Sequence, residues 1–250
     1  MGADTIVVAA LAAGMLVAAF GYASVGHGGA SAYLAAMALA GIAPAEMRPV
    51  ALVLNVVVSS LASWKFQRAG HFRWRLFWPF AAAAIPLAYV GGAITLPGQA
   101  YKILVGVVLL YAAWQLWRSG RAGEEMREVR QPPVPAAMAI GGAMGLLAGL
   151  TGVGGGIFLS PLLLMLGWAG TKQTSAVAAP FILLNSIAGL AALFVTRGSP
   201  LPSYVWLLVP AVLAGGWLGA EYGSRRFANP VVRRVLAVVL ALAGAKMVLV

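Results

Sequence analysis

The chain has 250 residues, of which 62% are apolar and only 9% carry a formal charge. An ordinary soluble domain has about 25% charged residues, so this composition excludes a soluble fold. Apolar residues also run for tens of positions without the polar alternation of a transmembrane β-barrel. At about 20 residues per span, the chain has room for roughly eight to ten helices. The sequence therefore predicts an all-α integral membrane protein.

The charges are predominantly basic, with 17 Lys and Arg against 6 Asp and Glu. They lie in short loops between apolar runs, so they indicate topology rather than binding to nucleic acid. Cysteine is absent from the sequence, which excludes disulfides and thiolate metal sites. The N-terminal apolar run lacks the basic start of a signal peptide and is expected to remain as a first helix.

Two stretches of 41 residues, 5–45 and 131–171, contain no charged side chain and must each hold a helix pair. Just past the middle of each lies a glycine cluster, Gly26-His27-Gly28-Gly29 and Gly152-Val153-Gly154-Gly155-Gly156. Glycine is a poor helix former, so each pair is expected to break there.

The second arm of each broken pair has roughly 11 to 16 residues, which is only about 16 to 24 Å of helix. Each remaining charge-poor stretch holds one helix; these stretches are 49–64, 76–101, 103–117, 173–196, 198–220 and 235–245. The chain thus has about ten membrane segments if both arms cross, or six spans and two re-entrant hairpins if they do not.

The two halves of the chain resemble each other. Four glycines of the first half recur 126 positions later: Gly26, Gly28, Gly29 and Gly41 match Gly152, Gly154, Gly155 and Gly167. These matches predict a first repeat over 1–118, a solvated linker over 119–133 and a second repeat over 134–250. Each repeat has five segments, made of a glycine-broken short-helix hairpin and three transmembrane helices. Because five is odd, the second repeat is expected to be inverted in the membrane.

The basic residues cluster in three loops, 64–75, 118–130 and 223–234. By the positive-inside rule these loops are expected to be cytoplasmic, which places both termini outside.

Inverted repeats with interrupted helices are typical of secondary transporters, whose substrate binds where the breaks meet. The first amides of a helix have no partner within that helix and favour an anion. We therefore expect the helices that begin at Ala30-Ser31 and at Gly156 to face each other across a small anion. Close helix packing is the alternative role for these glycines.

Polar side chains elsewhere are candidates to complete the site, although they can instead bond neighbouring helices. The full set of expected substrate-binding residues is Gly26, His27, Gly28, Gly29, Ala30, Ser31, Asn55, Thr151, Gly152, Gly154, Gly155, Gly156, Gln173, Thr174 and Asn185. His27 is also a candidate for proton coupling, because it is the one mid-membrane side chain that titrates near neutral pH; a structural role is the alternative.

No phosphate-binding loop, His-Glu-x-x-His motif or cysteine cluster occurs, so the sequence predicts neither an enzyme nor a bound cofactor or metal. An anion channel and a non-transporting membrane scaffold remain as alternatives to a carrier.

The duplicated glycine break, with Ser160-Pro161-Leu162-Leu163 after its second copy, resembles the TauE/SafE sulfite exporter family, also called the toluene sulfonate uptake permease family. The resemblance covers nearly the whole chain. It implies a bacterial inner-membrane carrier, usually an exporter, of small sulfur-containing anions such as sulfite or organosulfonates. Carried over by residue, it points to the seven glycines of the two breaks.

The partners expected are therefore a small anionic substrate and the lipid bilayer, with no nucleic acid. A homodimer is one option that the sequence leaves open. The mechanism expected is alternating access around an anion held at the two breaks.

Overall fold

A computed structural model describes residues 2–119, 130–198, 201–225 and 230–249. This part of the chain is helical, without strands. Its ten helices are α1 Gly2–Ala23, α2 Ala30–Leu39, α3 Pro44–Arg68, α4 Trp74–Ala93, α5 Gly98–Ser119, α6 Val134–Thr151, α7 Gly156–Met165, α8 Thr171–Arg197, α9 Val205–Arg225 and α10 Pro230–Leu249. The prediction of an all-α membrane protein is confirmed.

Six of these helices are long and apolar enough to cross a membrane, namely 44–68, 74–93, 98–118, 134–151, 171–197 and 205–224. By contrast, α2 and α7 have 10 residues each, so each extends only about 15 Å, half the thickness of the hydrocarbon core.

Each glycine-broken hairpin pairs a long first arm with the short second arm that the sequence predicts. The first arms, α1 and α6, have 22 and 18 residues, and only the second arms are short. The second arms are also shorter than the predicted 11 to 16 residues, because each ends at a left-handed glycine, Gly41 or Gly167.

The turns that follow α2 and α7 have the same hydrogen bonds. After α2, the N–H groups of Ala40, Gly41 and Ile42 donate to carbonyls four, three and five residues earlier. After α7, the corresponding three N–H groups make the same bonds 126 residues further on. The glycine in each turn has a positive φ, 76° at Gly41 and 65° at Gly167. The glycine offset seen in the sequence is thus an offset of local structure as well.

Helices of the two halves pack against each other in corresponding pairs. In this comparison α1 to α5 of the first half correspond to α6 to α10 of the second. The contact between α4 and α6 therefore corresponds to that between α9 and α1. In addition, α3 packs against its counterpart α8, and α5 packs against its counterpart α10. All four pairs join one half to the other. The buried apolar residues form two clusters, and each cluster contains residues of both halves.

Glycines allow the closest of these contacts. On α6, Gly141, Gly145 and Gly149 follow one another at four-residue spacing against backbone carbonyls of α4. On α9, three glycines at the same spacing lie against α1. Small residues at this spacing let the backbones of membrane helices approach.

The α6–α7 pair enters and leaves on the same side of the bundle. The Arg130 N–H, just before α6, donates to the Gly167 carbonyl, just after α7, over 2.9 Å. The half-length helix α7 therefore returns toward the side on which α6 begins.

Part of the predicted linker 119–133, and parts of the basic loops 118–130 and 223–234, lie outside the described residues. The cytoplasmic placement of these loops therefore stays a prediction.

A first prediction concerns the glycine contacts. A Cβ at Gly145 would overlap the Ala84 carbonyl, whereas a Cβ at Gly14 would meet nothing within 4 Å. We expect Gly145→Val to destabilise the bundle by about 1–3 kcal/mol or more, as overpacking does. Gly14→Val should cost less than about 1 kcal/mol, because both glycines are helical and only their surroundings differ. Thermal unfolding in detergent measures both, and equal midpoints would contradict the prediction.

Candidate functional site

The two glycine breaks meet at the middle of the two longest helices. A Cβ added to Gly28 would overlap Asn55 and approach Ile182, and a Cβ added to Gly154 would do the same. Asn55 and Ile182 lie close to the midpoints of α3 and α8. The site is therefore formed where each break crosses both long helices.

The Asn55 side chain, which is fully buried, links the two breaks. Its Oδ1 accepts from the Ala30 N–H at the start of α2 over 3.3 Å. Its Nδ2 donates to Ser186 Oγ at 3.0 Å and to the Val153 carbonyl at 3.4 Å. One amide side chain thus satisfies backbone groups of both breaks and a hydroxyl of α8.

The start of α2 is held by further side chains. Gly29 precedes the helix in the left-handed region, with φ of 94° and without a side-chain cap. Tyr33 donates its hydroxyl to the Gly28 carbonyl, and Ser31 donates to the Tyr22 hydroxyl, each at 2.8 Å. These bonds fix the direction in which α2 leaves the break.

The start of α7 has the same backbone form. Gly155 has a φ of 82°, and its carbonyl accepts from the N–H groups of Phe158 and Leu159. The N–H groups of Gly156 and Ile157 precede the first of these hydrogen bonds along the chain, so they lie at the positive end of α7. This is the position at which a helix N-terminus stabilises an anion.

His27 connects the first break to α7. Its Nδ1 lies 3.0 Å from the Val25 carbonyl and its Nε2 lies 3.1 Å from the Gly156 carbonyl. A neutral imidazole donates from one nitrogen only, whereas an imidazolium donates from both. Protonation of His27 would therefore strengthen the contact between the two halves at this point.

Each break also contacts the long helix of the other half. A Cβ at Gly26 would lie 2.6 Å from the Ser175 carbonyl, and one at Gly152 would lie 3.2 Å from Arg48 Cγ. Ser175 donates its hydroxyl to the Val25 carbonyl over 2.9 Å. These contacts are equivalent, because Gly26 and Gly152 differ by 126 positions and Arg48 and Ser175 by 127.

Arg48 brings a buried cation next to the second break, with only 4% of its surface exposed. Its terminal nitrogens donate to the carbonyls of Gly91 and Gly92, each at 2.7 Å, and of Ile94 at 3.1 Å. These carbonyls lie at the negative end of α4, which favours a cation. These contacts make Arg48 the cap of α4.

The structure brings together most of the predicted site residues, namely Gly26, His27, Gly28, Gly29, Ala30, Ser31, Asn55, Gly152, Gly154, Gly155 and Gly156. Thr151 also lies at the second break, where its hydroxyl accepts from the Val153 N–H over 3.3 Å and donates to the Leu147 carbonyl of its own helix. Gln173, in the first turn of α8, lies beside Arg73 of the α3–α4 turn. Thr174 and Asn185 are buried on α8 without hydrogen-bond partners.

Sequence reasoning missed Ile182, Tyr22 and the capping role of Tyr33. Ile182 could have been found from the repeat, since it lies 127 positions after Asn55. Among the described residues, no group of three His, Cys, Asp or Glu side chains could hold a metal ion.

Comparison with known proteins decides the family. The model of the family described as "Sulfite exporter TauE/SafE" matches residues 10–247, which includes both glycine breaks. The chain belongs to the TauE/SafE sulfite exporter family. It is 38% identical over 240 residues to "Probable membrane transporter protein y4hK" of Sinorhizobium fredii (strain NBRC 101917 / NGR234), covering 95% of this chain and 96% of the relative. No solved structure matches the chain.

Membership in the TauE/SafE family, together with six apolar helices of spanning length, makes this chain a multi-pass membrane protein of a transporter family. The family match extends across both halves rather than over one of them. The central site is therefore built by the part of the chain that defines the family.

A second prediction concerns Asn55. Asn55→Leu removes the partner of the Ala30 N–H, the Val153 carbonyl and Ser186 Oγ at once. Buried polar groups without partners cost about 1–3 kcal/mol, so we expect a loss of stability of at least that size. Unfolding by titration with sodium dodecyl sulfate measures it.

Ser59→Ala is the matched control, because Ser59 is equally buried on α3 but bonds only to the Asn55 carbonyl of its own helix. We expect Ser59→Ala to lose less stability than Asn55→Leu. Equal stability of the two variants would contradict the prediction that Asn55 links the two breaks.

Proposed function

We propose that this protein is a secondary transporter, and specifically an exporter, of small sulfur-containing anions such as sulfite or organosulfonates. One observation carries the proposal: a single buried amide, Asn55, joins both glycine breaks at the middle of the helix bundle. Transporters with interrupted helices bind substrate at such a point, where helix N-termini point at the anion.

The charge around the breaks supports an anion rather than a cation. Positive helix ends at Ala30 and Gly156 lie at the site, and Gly152 of the second break packs against Arg48, whose guanidinium caps the neighbouring helix α4. No Asp or Glu lies in the described middle sections of the helices that form the site. The sulfur-containing substrate itself is proposed from the family, whose description names sulfite export.

The mechanism proposed is alternating access, in which one half moves against the other. The contacts between Gly26 and Ser175 and between Gly152 and Arg48 join the halves on either side of the central site. Weakening one set while retaining the other would open the site to one side at a time. We further propose that the halves are inverted repeats, that both termini are external, and that the membrane is the bacterial inner membrane.

A third prediction tests the site. A Cβ at Gly154 would overlap Asn55 Nδ2, whereas Gly70 has a similar positive φ, 77° against 79°, with open space around it. Both glycines therefore meet the same backbone strain on substitution, and only Gly154→Ala also fills the site. We expect Gly154→Ala to lower sulfite flux about fivefold or more, since overpacking of about 1–3 kcal/mol corresponds to a factor of roughly 5 to 150.

The measurement is flux of ³⁵S-labelled sulfite in proteoliposomes, with Gly70→Ala as the matched control. Equal flux from both variants would remove the proposed site. Counterflow separates a carrier from an anion channel, because only a carrier accumulates labelled substrate against unlabelled substrate. A folded chain without flux of sulfite or an organosulfonate would favour the scaffold alternative.

A fourth prediction concerns His27. If its imidazolium bonds both Val25 and Gly156, proton binding is coupled to the contact between the halves. We expect a pH gradient to drive sulfite flux through the wild type and His27→Ala to abolish this effect. The facing titratable side chain, Tyr22, has its ring centroid 6.3 Å from the imidazole and remains neutral near pH 7.

His71→Ala is the control, since His71 is the other histidine of the chain and lies in the α3–α4 turn. Gradient-driven flux that survives in His27→Ala would make His27 structural while leaving the carrier in place.

A further inference from the structure

Three buried polar side chains of the second half have no hydrogen-bond partner. Ser160, Thr174 and Asn185 are 6%, 3% and 1% exposed. Among the described residues, Ser160 Oγ, Thr174 Oγ1 and both amide atoms of Asn185 lack partners, as do Arg48 Nε and Ser63 Oγ on α3. Four of these six atoms thus belong to the neighbouring helices α7 and α8.

Several other hydroxyls in the described helices have partners along their own helix. Ser59, Ser60, Thr151 and Thr196 each donate to the carbonyl four residues earlier, as is usual in membrane helices. For Ser160 that carbonyl is Gly156, which already faces His27 Nε2. Buried polar groups inside a membrane persist where they line a water-filled cavity or meet a ligand.

The first half carries apolar residues at the corresponding positions. With the offset of 126 between α2 and α7, Ser160 corresponds to Leu34. With the offset of 127 that relates Arg48 to Ser175 and Ser59 to Ser186, the counterparts of Thr174 and Asn185 are Met47 and Val58. All three counterparts are at most 1% exposed. The polar side chains of Ser160, Thr174 and Asn185 therefore have no polar counterpart in the first half.

Thr174 and Asn185 lie on either side of the second break along α8, and Ser160 lies on α7, which begins at that break. Thr174, Phe181 and Asn185 share one face of α8, because residues 7 and 11 positions apart return to the same side of a helix. Phe181 lies at the second break, where a Cβ at Gly155 would be 3.0 Å from its ring. Asn185 is one turn further along this face, near the middle of α8.

A basic cavity adjoins the other end of this face. Its volume is about 710 Å³, and its lining includes Arg73, Arg75, Gln131 and three tryptophans. Gln173, the neighbour of Thr174, accepts from Arg73 Nη2 at 3.1 Å and Nε at 3.2 Å when its amide oxygen faces the guanidinium. Two cations at this end would attract a small anion toward the start of α8.

We infer that Ser160, Thr174 and Asn185 line a hydrated anion path that runs from the Arg73 cavity, which residues of both halves line, along α8 of the second half to the second glycine break. The inference rests on the proposed transport function and adds its route. The two hydroxyls and the amide donate hydrogen bonds to an oxyanion or to its water, and the first half forms the apolar wall. The anion therefore reaches the centre along one side rather than symmetrically between the halves.

The absence of cysteine from the sequence makes a direct test simple. Single variants Ser160→Cys, Thr174→Cys and Asn185→Cys are compared with the matched variants Leu34→Cys, Met47→Cys and Val58→Cys. The probe is the anionic thiol reagent sulfonatoethyl methanethiosulfonate, applied to both sides of proteoliposomes. Labelling after denaturation in sodium dodecyl sulfate shows that every thiol is intact.

We expect labelling in the membrane for the second-half set and none for the first-half set. Equal labelling of the two sets, or no labelling of the second-half set, overturns the path. This readout does not depend on transport, so it decides the path even if the proposed function fails.

Isosteric variants separate a path from a merely structural cluster. Thr174→Val and Asn185→Leu remove polar atoms that have no partner, so the unfolding midpoint should stay equal or rise. Sulfite flux should nevertheless fall about tenfold, as for the loss of one hydrogen bond to a charged ligand. Unchanged flux in both variants, beside an active wild type, overturns the path and leaves the proposed function standing. A wild type without flux overturns the proposed function instead.

Discussion

Backbone N–H and C=O groups need partners inside a bilayer, and two glycine breaks interrupt helical hydrogen bonding in the middle of this protein. The rest of the architecture follows from how those groups are satisfied. Asn55 serves both breaks, and Tyr33 and Ser175 serve the first. Asn55 of the first half bonds to the second break, and Ser175 of the second half bonds next to the first break. The hydrogen bonds that satisfy the breaks therefore hold the two halves together.

This arrangement places the least regular backbone where both halves are required to support it. Gly28 and Gly154 lie against the same two side chains, Asn55 of one half and Ile182 of the other. The backbone of the two breaks is therefore similar at the centre of the protein. The two side chains there differ, because Asn55 is an amide and Ile182 is aliphatic. A movement of one half against the other changes the surroundings of both breaks at once, which is what alternating access requires.

The asymmetry extends outward from the centre. Arg48 caps α4 in the first half, where its counterpart in the second half, Ser175, bonds the first break. Ser160, Thr174 and Asn185 lie on α7 and α8, where the corresponding residues of α2 and α3 are Leu34, Met47 and Val58. The two halves thus share local backbone structure at an offset of 126, and the proposed anion route follows from the side chains in which they differ. The family and the membrane-spanning fold are established, while the substrate and route are proposals.

The amino-acid sequence by itself determined the helical membrane fold, the positions of the two breaks and the offset of 126, because composition and glycine clusters act locally. It also indicated that the second arm of each pair is short, although α2 and α7 end earlier than predicted, at the turns that contain Gly41 and Gly167. Only the tertiary structure decided which polar residues have partners. Asn55 and Asn185 are alike in a sequence, yet the first joins both breaks and the second bonds nothing. The physical reason is that hydrogen bonding across the bundle depends on how helices from the two halves pack, and periodicity along one helix does not contain that information.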